Sequence, residues 1–186
     1  MKIVKKAYTA LFPCPVVLVT CVDSAGKPNI ITLAWAGTVC SEPPMIGVGI
    51  RPSRYSHKLI EDSKEFVVNI PPTKIITETD YCGVTSGKDV DKFSETRLTP
   101  EKADKVKAPL IQECPVNMEC ILKNKVQLGA HDLFLGEIVQ VHVGQEVLDE
   151  KGNIDIAKAA PFTYNQGEYW NLHKKLGTYG FSKQRK

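Results

Sequence analysis

Residues 15–56 read PVVLVTCVDSAGKPNIITLAWAGTVCSEPPMIGVGIRPSRYS, and this stretch decides the fold. Val16–Val22 is an unbroken apolar and β-branched run, which predicts a strand buried on both faces. The turn residues of Asp23–Pro28 follow, and Asn29–Val39 resumes a strand, so the two runs predict a hairpin. Met45–Ile50 predicts a third strand. The stretch therefore predicts a compact β-meander.

Three helices are predicted around this meander. Residues 2–12 carry apolar side chains at helical spacing and end at Pro13. Ser53 is placed to cap a second helix, and Thr73 to cap a third that runs to about Tyr81. The residues expected to face inward from the second helix are Tyr55, Leu59 and Ile60.

The rest of the chain is mainly β. Phe66–Ile70, Pro115–Leu128 and Leu133–Val147 predict strands, and valines alternate with polar residues in the last of them. Cys82–Pro109 is polar and predicts a long excursion outside the core. Because the helices are inserted between strands without regular alternation, we expect a barrel or a sandwich and not a doubly wound sheet.

Composition predicts one domain over residues 1–186. The apolar content of 42% is ordinary for a globular chain of this length. A net charge of +3 gives no reason to expect a nucleic acid or a membrane as partner. Lys2, Lys5 and Lys6 before an apolar run imitate a signal peptide, but Pro13 and Pro15 interrupt the run. We therefore expect a cytoplasmic protein.

The six cysteines do not predict a metal or a disulfide framework. No C-x-x-C pair and no H-x-x-x-H pair occurs, so no metal site is expected. A chain of this size has no need of disulfides for stability. Cys82 is interpreted as a packed thiol, with a redox-active thiol as the alternative. His57, His142 and His173 are interpreted as surface residues.

Several motifs resemble those of the flavin reductase-like family, and of its flavoredoxin branch in particular. They are Pro-x-Pro-Val-x-Leu-Val-Thr from Pro13, Asp-x-x-Gly-x-x-Asn-x-x-Thr-x-Ala-Trp from Asp23, Ser41-x-x-Pro-Pro, Phe66-Val67-Val68-Asn69, Cys82-Gly83, Ser86-Gly87-Lys88-Asp89, Asp91-Lys92-Phe93, His131 with Gly136-Glu137, and Gly180-Phe181-Ser182. The resemblance covers nearly the whole chain. It implies an FMN-binding split β-barrel of Greek-key type, and a homodimer.

Residues around the predicted second helix suit a phosphate. A helix N-terminus with guanidinium and hydroxyl groups nearby favours an anion, and the candidates are Arg51, Ser53, Arg54 and Ser56. The alternative is that Ser53 only caps the helix while the arginines are solvated. The resemblance favours the phosphate and implies that Thr32, Leu33, Ala34, Trp35 and Ser41 line the flavin ring. The Trp35 indole itself is interpreted as a core or interface aromatic.

Two further site residues follow from the resemblance. It implies that Lys92 contacts the flavin phosphate or ring, with a solvated loop lysine as the rival interpretation. It also implies that His131 lies over the site where nicotinamide and flavin meet, as the catalytic residue. The rival is a loop histidine bonded to Asp132.

Three functions remain open from the sequence. The first is a flavoredoxin-like electron carrier with FMN and a redox protein partner. The second is an NAD(P)H-dependent flavin reductase, although no G-x-G-x-x-G fingerprint is present for a dinucleotide domain. The third is a protein that binds or stores FMN without turnover. The aromatic residues after position 160 must pack either on the barrel or on a second subunit.

Overall fold

A computed structural model describes residues 1–184 and consists mainly of antiparallel strands. The strands are β1 (Cys14–Pro15), β2 (Val17–Val22), β3 (Pro28–Leu33), β4 (Ala36–Ser41), β5 (Pro44–Ile50), β6 (Glu65–Ile70), β7 (Pro100–Glu101), β8 (Leu110–Ile111), β9 (Val116–Gln127), β10 (Asp132–Val143), β11 (Phe162–Asn165) and β12 (Glu168–Asn171). The α-helices are α1 (Tyr55–Ser63), α2 (Ile76–Val84), α3 (Lys92–Thr96) and α4 (Ile156–Ala159), and short 3₁₀ turns occupy Thr73–Ile75, Gln145–Val147 and Phe181–Gln184. None of the helices in residues 1–184 is long and apolar enough to cross a membrane.

One seven-stranded sheet forms the barrel. Its strand order is β3-β2-β6-β9-β10-β5-β4, and every pairing is antiparallel. The two edge strands, β3 and β4, are consecutive in the chain and are separated only by Ala34 and Trp35. The sheet must therefore curl until its edges meet, and the N–H of Gly49 donates to the carbonyl of Trp35 at this seam (2.8 Å). The predicted split barrel is confirmed.

The interior of the barrel is filled by branched and aromatic side chains. Val19, Val48, Ile60, Phe66 and Phe134 are fully buried there. As predicted, Leu59 and Ile60 of α1 face inward, and the half-buried Tyr55 packs against them. β9 and β10 are the long strands that the sequence predicts, although Val141 of β10 is exposed. A register shift between Ile138 and Gln140 interrupts the alternation of its valines.

Three of the predicted elements are wrong. Residues 2–12 form no helix, since eleven residues cannot hold a helix without a packed face and this segment is exposed. The predicted strand Asn29–Val39 is two strands, because the chain crosses from one sheet edge to the other at Ala34. Residues 82–109 do not lie outside the core, because their widely spaced apolar side chains pack on β2, β3 and β6. The buried members are Cys82, Phe93, Leu98, Ala103, Val106 and Ala108.

A second, three-stranded sheet closes one side of the barrel. Its order is β1-β11-β12, and Phe162 at the start of β11 is buried. The hairpin of β11 and β12 turns at Gln166 and Gly167, which both have positive φ. Tyr169 on the hairpin donates a hydrogen bond to Asp80 on α2 (2.8 Å). The hairpin is therefore held beside the barrel seam.

Candidate functional site

A cavity of about 420 Å³, here called the seam cavity, lies at the barrel seam. Barrel residues form one side of it, while α2 and the β11–β12 hairpin form the other. The lining residues are Val16, Ile31, Thr32, Leu33, Ala34, Trp35, Gly49, Arg51, Arg54, Asp80, Gly83, Val84, His131, Tyr164, Gly167 and Tyr169. The wall is mostly apolar and aromatic, with cations at one end, which suits a planar ring.

The wall made by β3 and α2 is tightly packed. The hydroxyl of Thr32 donates to the carbonyl of Thr79 in α2. A Cβ added at Gly83 would lie 3.2 Å from Cβ of Thr32, so a larger residue there would push α2 away from β3. Because the Thr32 hydroxyl proton is already donated to Thr79, Thr32 can donate a hydrogen bond to a ligand only through its backbone.

Trp35, Arg51 and His131 form another part of the seam-cavity lining. The rings of Trp35 and His131 lie 4.3 Å apart with a tilt of 49°, and the indole is 42% exposed. The indole is therefore not a core aromatic, because the seam turns it outward, while its interpretation as an interface aromatic stays a prediction. Nε of Arg51 donates to Nε2 of His131 at 3.4 Å. Burial, and then the charge of Arg51, lower the pKa of His131, so the ring is neutral with its proton on Nδ1.

A smaller cavity of about 120 Å³, the Lys92 pocket, adjoins the seam cavity. The two share Ile31, Arg54 and Gly83. The other residues of the Lys92 pocket are Asn29, Ser53, Tyr55, Ser56, Cys82, Thr85, Ser86, Gly87 and Lys92. Its lining contains two cations and no carboxylate, which is the chemistry of an anion site.

Lys92 is the central group of this pocket. It is only 4% exposed, and Nζ donates to the carbonyls of Ile30 (2.8 Å) and Cys82 (2.6 Å). It forms no ion pair with a carboxylate among residues 1–184. Burial, followed by the charge of Arg54, lowers the pKa of Lys92. The interpretation of Lys92 as a solvated loop lysine is therefore wrong.

The predicted phosphate residues divide between the two cavities. Ser53, Arg54 and Ser56 line the Lys92 pocket, whereas Arg51 lines the seam cavity. Ser53 does not cap α1, because Arg54 is the N-cap residue and no side chain caps it. Ser56 is buried, and its hydroxyl accepts a hydrogen bond from Asn29 (2.8 Å).

Ser41 lies apart from the other predicted site residues. It is the exposed last residue of β4 and lines neither cavity, so its contact with a flavin ring stays a prediction. Thr73 likewise caps nothing, since Pro72 stands at the N-cap position of its 3₁₀ turn. Cys82 is a buried thiol, and burial raises its pKa to about 11, as expected of a packed cysteine.

Two histidines interpreted as surface residues are partly or fully buried. Nε2 of His57 lies 2.8 Å from Oδ2 of Asp132, so Asp132 bonds His57 and not its neighbour His131. Nε2 of His142 lies 2.6 Å from Oε1 of the buried Glu119. Neither carboxylate is near its histidine in sequence, which is why single-sequence patterns missed both pairs.

Sequence reasoning missed the side of the seam cavity that α2 and the hairpin provide. Asp80, Tyr164 and Tyr169 belong to it, and burial raises the pKa of Tyr169. The aromatic composition after position 160 was the available signal, but it could not say which rings reach the cavity. The structure shows that Phe162, Tyr164 and Tyr169 pack edge to face on the inner side of the hairpin.

Comparison with known proteins identifies the family. The chain matches the model of the flavin reductase like domain over residues 9–173. A flavoredoxin of Desulfovibrio vulgaris (Miyazaki F) superposes with a TM-score of 0.93 at 33% identity, covering 99% of this chain and 100% of that one. A flavoredoxin of Methanosarcina acetivorans gives 0.91 at 29% identity, covering 99% and 98%.

A protein of Archaeoglobus fulgidus is 37% identical over 145 residues, which is 78% of this chain and 81% of the relative. These likenesses extend over the barrel, the helices and the hairpin that build both cavities. They support a flavin-related redox protein. The chain belongs to the flavin reductase like family.

Proposed function

We propose that this protein binds FMN without a covalent bond and transfers electrons to or from a redox protein partner, as a flavoredoxin-like carrier. The observation that supports it best is the Lys92 pocket. A buried ammonium with carbonyl partners and no carboxylate is costly to keep unless an anion compensates it. The phosphate of FMN is such an anion, and the pocket opens to a ring-sized cavity.

The residues of the Lys92 pocket fit a phosphate. Lys92 and Arg54 supply positive charge, and Ser86 can donate through its hydroxyl. A Cβ at Gly87 would lie 2.0 Å from Oδ1 of Asn29, so only glycine lets the backbone approach so closely here. The N–H groups of the first turn of α1 face the same region and favour a negative charge.

The seam cavity is then the place of the flavin ring. When bound, FMN supplies the chemistry of reversible electron acceptance, and the protein positions and polarises it. The aromatic rings of Trp35, Tyr164 and Tyr169 offer flat contacts, and Arg51 keeps positive charge at one end. The neutral His131 offers the donor Nδ1–H to a neighbouring group.

A second candidate is an NAD(P)H-dependent flavin reductase. The arrangement of His131 and Arg51 at an accessible wall favours it, because these groups can orient a second planar ring with a polar substituent. We rank it behind the carrier because the two flavoredoxins match nearly the full chain at 33% and 29% identity. Storage of FMN without turnover is the third possibility and has no observation of its own.

The decisive experiment has two stages. The ligand released by acid from the purified protein is identified, and its affinity is compared with that of riboflavin. We expect FMN, bound more tightly than riboflavin. A colourless protein that binds both flavins equally would contradict the proposal.

The second stage separates the three functions. The FMN-loaded protein is mixed anaerobically with NADH, NADPH or a reduced iron–sulfur protein while the flavin absorption band is followed. We expect slow reduction by either nicotinamide and faster reduction by the protein donor. Rapid multiple-turnover reduction of free flavin by a nicotinamide would establish the reductase, and no reduction by any donor would favour storage.

We also propose that the protein is a homodimer. Large apolar side chains are exposed in the two terminal segments of the single chain, outside the sheets. They include Val4, Tyr8, Leu11, Leu172, Leu176 and Tyr179. An exposed apolar surface of this kind is typical of an interface, and a second copy of the chain can cover it.

A further inference from the structure

A network of hydrogen bonds and ion pairs, buried at Asp132 and His57, begins at the residue after His131. Oδ2 of Asp132, the first residue of β10, is 2.8 Å from Nε2 of His57 in α1 and 3.4 Å from Nζ of Lys125 in β9. Lys125 in turn lies 2.6 Å from Oε1 of Glu61, one turn after His57. Asp132 and His57 are buried, so water competes little for their hydrogen bond. The network therefore ties α1, β9 and β10 together at one end of the barrel.

Asp132 also ends the ladder between β5 and β10. Its partner across the ladder is Ile50, and the next residues outward along the two strands are His131 and Arg51. Successive strand residues point to opposite faces, so Asp132 is buried while His131 lines the seam cavity. The end of a ladder opens easily unless something anchors it. The hydrogen bond from His57 is such an anchor.

The contact that depends on this anchor is a long one. Nε of Arg51 and Nε2 of His131 are 3.4 Å apart, near the outer limit for a hydrogen bond, so a small displacement of either strand end would break it. In the seam cavity the Trp35 ring contacts His131 at a tilt of 49°, and the charged Arg54 and Asp80 line the same cavity.

We propose that Asp132 is a positioning residue that acts through His57 to hold the His131 ring against Arg51 in the seam cavity. The hydrogen bond from His57, followed by those from Lys125, keeps the pKa of Asp132 below its ordinary value, so the carboxylate stays charged at neutral pH. The use of this arrangement in flavin binding rests on the proposed function, whereas the positioning of His131 does not. The guanidinium of Arg51 next to His131, together with burial, favours the neutral imidazole at the ring site.

The test exploits two effects of opposite sign. Asp132 is a negative charge next to His131 in the chain, so its direct electrostatic influence raises the pKa of His131. Removing it would lower that pKa if Asp132 acted only through its charge. If Asp132 positions the ring, removing it frees His131 from Arg51 and from burial, and the pKa of His131 rises.

The pKa of His131 is measured by NMR titration of its ring protons in the ligand-free protein, with the signal assigned from its absence in His131→Asn. We expect Asp132→Ala to raise this pKa by about half a unit or more. Asp132→Asn, which keeps the shape and one acceptor, should shift it in the same direction by less. Asp62→Asn breaks the exposed ion pair with Lys58 in α1 and should leave the pKa of His131 unchanged.

His57 provides the rescue. His57→Ala should raise the pKa of His131 as Asp132→Ala does, and His57→Gln should restore it, because the glutamine amide can donate to Asp132. A pKa that falls or stays constant in the Asp132 variants overturns the proposal, and Asp132→Asn alone decides if the alanine variants do not fold. Because no flavin is present, failure of FMN to bind the wild-type protein would refute the proposed function without affecting this result.

Discussion

At the scale of single residues, burial decides which polar groups matter. Lys92 is buried in a pocket whose lining has no carboxylate. Glu119 is buried where four hydrogen-bond donors surround its carboxylate. The sequence alone does not show that either charged side chain is buried, although Lys92 lies in a family motif and Glu119 in a predicted strand. Burial makes the first a candidate phosphate ligand and the second a structural anchor.

Replacing Lys92 by Met should weaken FMN binding by about 1.5–3 kcal/mol, since a charge-assisted contact with the phosphate is lost. Riboflavin affinity should change little, because riboflavin has no phosphate. Isothermal titration with both flavins measures the two values.

Lys88→Met is the matched control for this prediction, because Lys88 is an exposed lysine of the same loop. Arg54→Ala should show the same selective loss as Lys92→Met, and its exposed side chain makes a folding defect improbable. If both variants lose equal affinity for FMN and for riboflavin, the phosphate of FMN does not bind in the Lys92 pocket.

Glu119 should make stability depend on pH. Burial alone would raise its pKa, but hydrogen bonds from His142 and from the backbone N–H groups of Asp104, Lys105 and Val106 hold it below its ordinary value of 4.5. A lowered pKa means that the folded state favours the carboxylate. Its contribution to stability is therefore present above the unfolded-state pKa and is lost as the pH falls through the folded-state pKa.

Glu119→Gln should accordingly lower the free energy of unfolding at pH 7 by about 1–3 kcal/mol, because an amide nitrogen then faces backbone N–H donors. The difference from the wild type should shrink below about pH 4.5, where the glutamate is being protonated. Urea unfolding at several pH values measures this. Glu95→Gln on the exposed face of α3 is the control, and a difference that grows on acidification would contradict the sign of the argument.

At the scale of elements, the seam between β3 and β4 organises the site. The chain leaves one sheet edge at Leu33 and joins the other at Ala36, so the two residues between them stand at the mouth of a cavity. The antiparallel pairing of β5 with β10 brings Arg51, after β5, next to His131, before β10. Curling the sheet into a barrel requires close packing inside it. Gly136 in β10 allows this packing because it leaves room for the Phe66 ring.

Gly136→Ala should destabilise the barrel by about 1–3 kcal/mol, the usual cost of overpacking a core. A Cβ at Gly136 would lie 2.5 Å from Cζ of Phe66 and 3.2 Å from Cβ of Cys120, and neither residue has free space to move into. Gly37→Ala in β4 is the control, because nothing lies within 4 Å of its added Cβ. Thermal unfolding of both variants gives the comparison, and equal midpoints would show that Phe66 can move aside.

At the scale of the whole molecule, the terminal segments are the part that the single chain leaves unexplained. Tyr179 and Leu176 are almost fully exposed at one end of the chain, and Val4 is at the other. The β11–β12 hairpin between the barrel and the C-terminal segment is nevertheless packed, with Phe162 buried and Tyr169 bonded to Asp80. The exposed segments are therefore attached to a well-packed frame and are free to cover a second subunit.

Removing residues 172–186 should leave the hairpin in place and delete the exposed apolar C-terminal segment. We expect the intact protein to sediment as a dimer and the shortened protein as a monomer or an aggregate, because the interface loses its apolar contacts. FMN content is measured on both. An intact protein that sediments as a monomer with full FMN occupancy would refute the dimer.

Local patterns in the sequence determined most of the strands and the family. The apolar runs of β2, β5 and β6 report burial within a few residues, and the resemblance carried by the motifs around Thr32, Lys92 and His131 indicated a flavin-binding barrel before any coordinates. The prediction of a helix over residues 2–12 is wrong because its apolar face would have nothing to pack against in the single chain.

Only the tertiary structure decided which groups meet. The pairs His57–Asp132, Arg51–His131 and Tyr169–Asp80 join residues 75, 80 and 89 positions apart. No local periodicity records such contacts. The antiparallel pairing of β5 with β10 places Arg51 next to His131, and the packing of helices and hairpin on the barrel sets the other two pairs. Lys92 is buried because α3 packs on β3, where Nζ reaches the carbonyl of Ile30. The sequence thus specifies the strands and the side chains available. Strand pairing, packing and closure of the barrel determine which of these side chains come together.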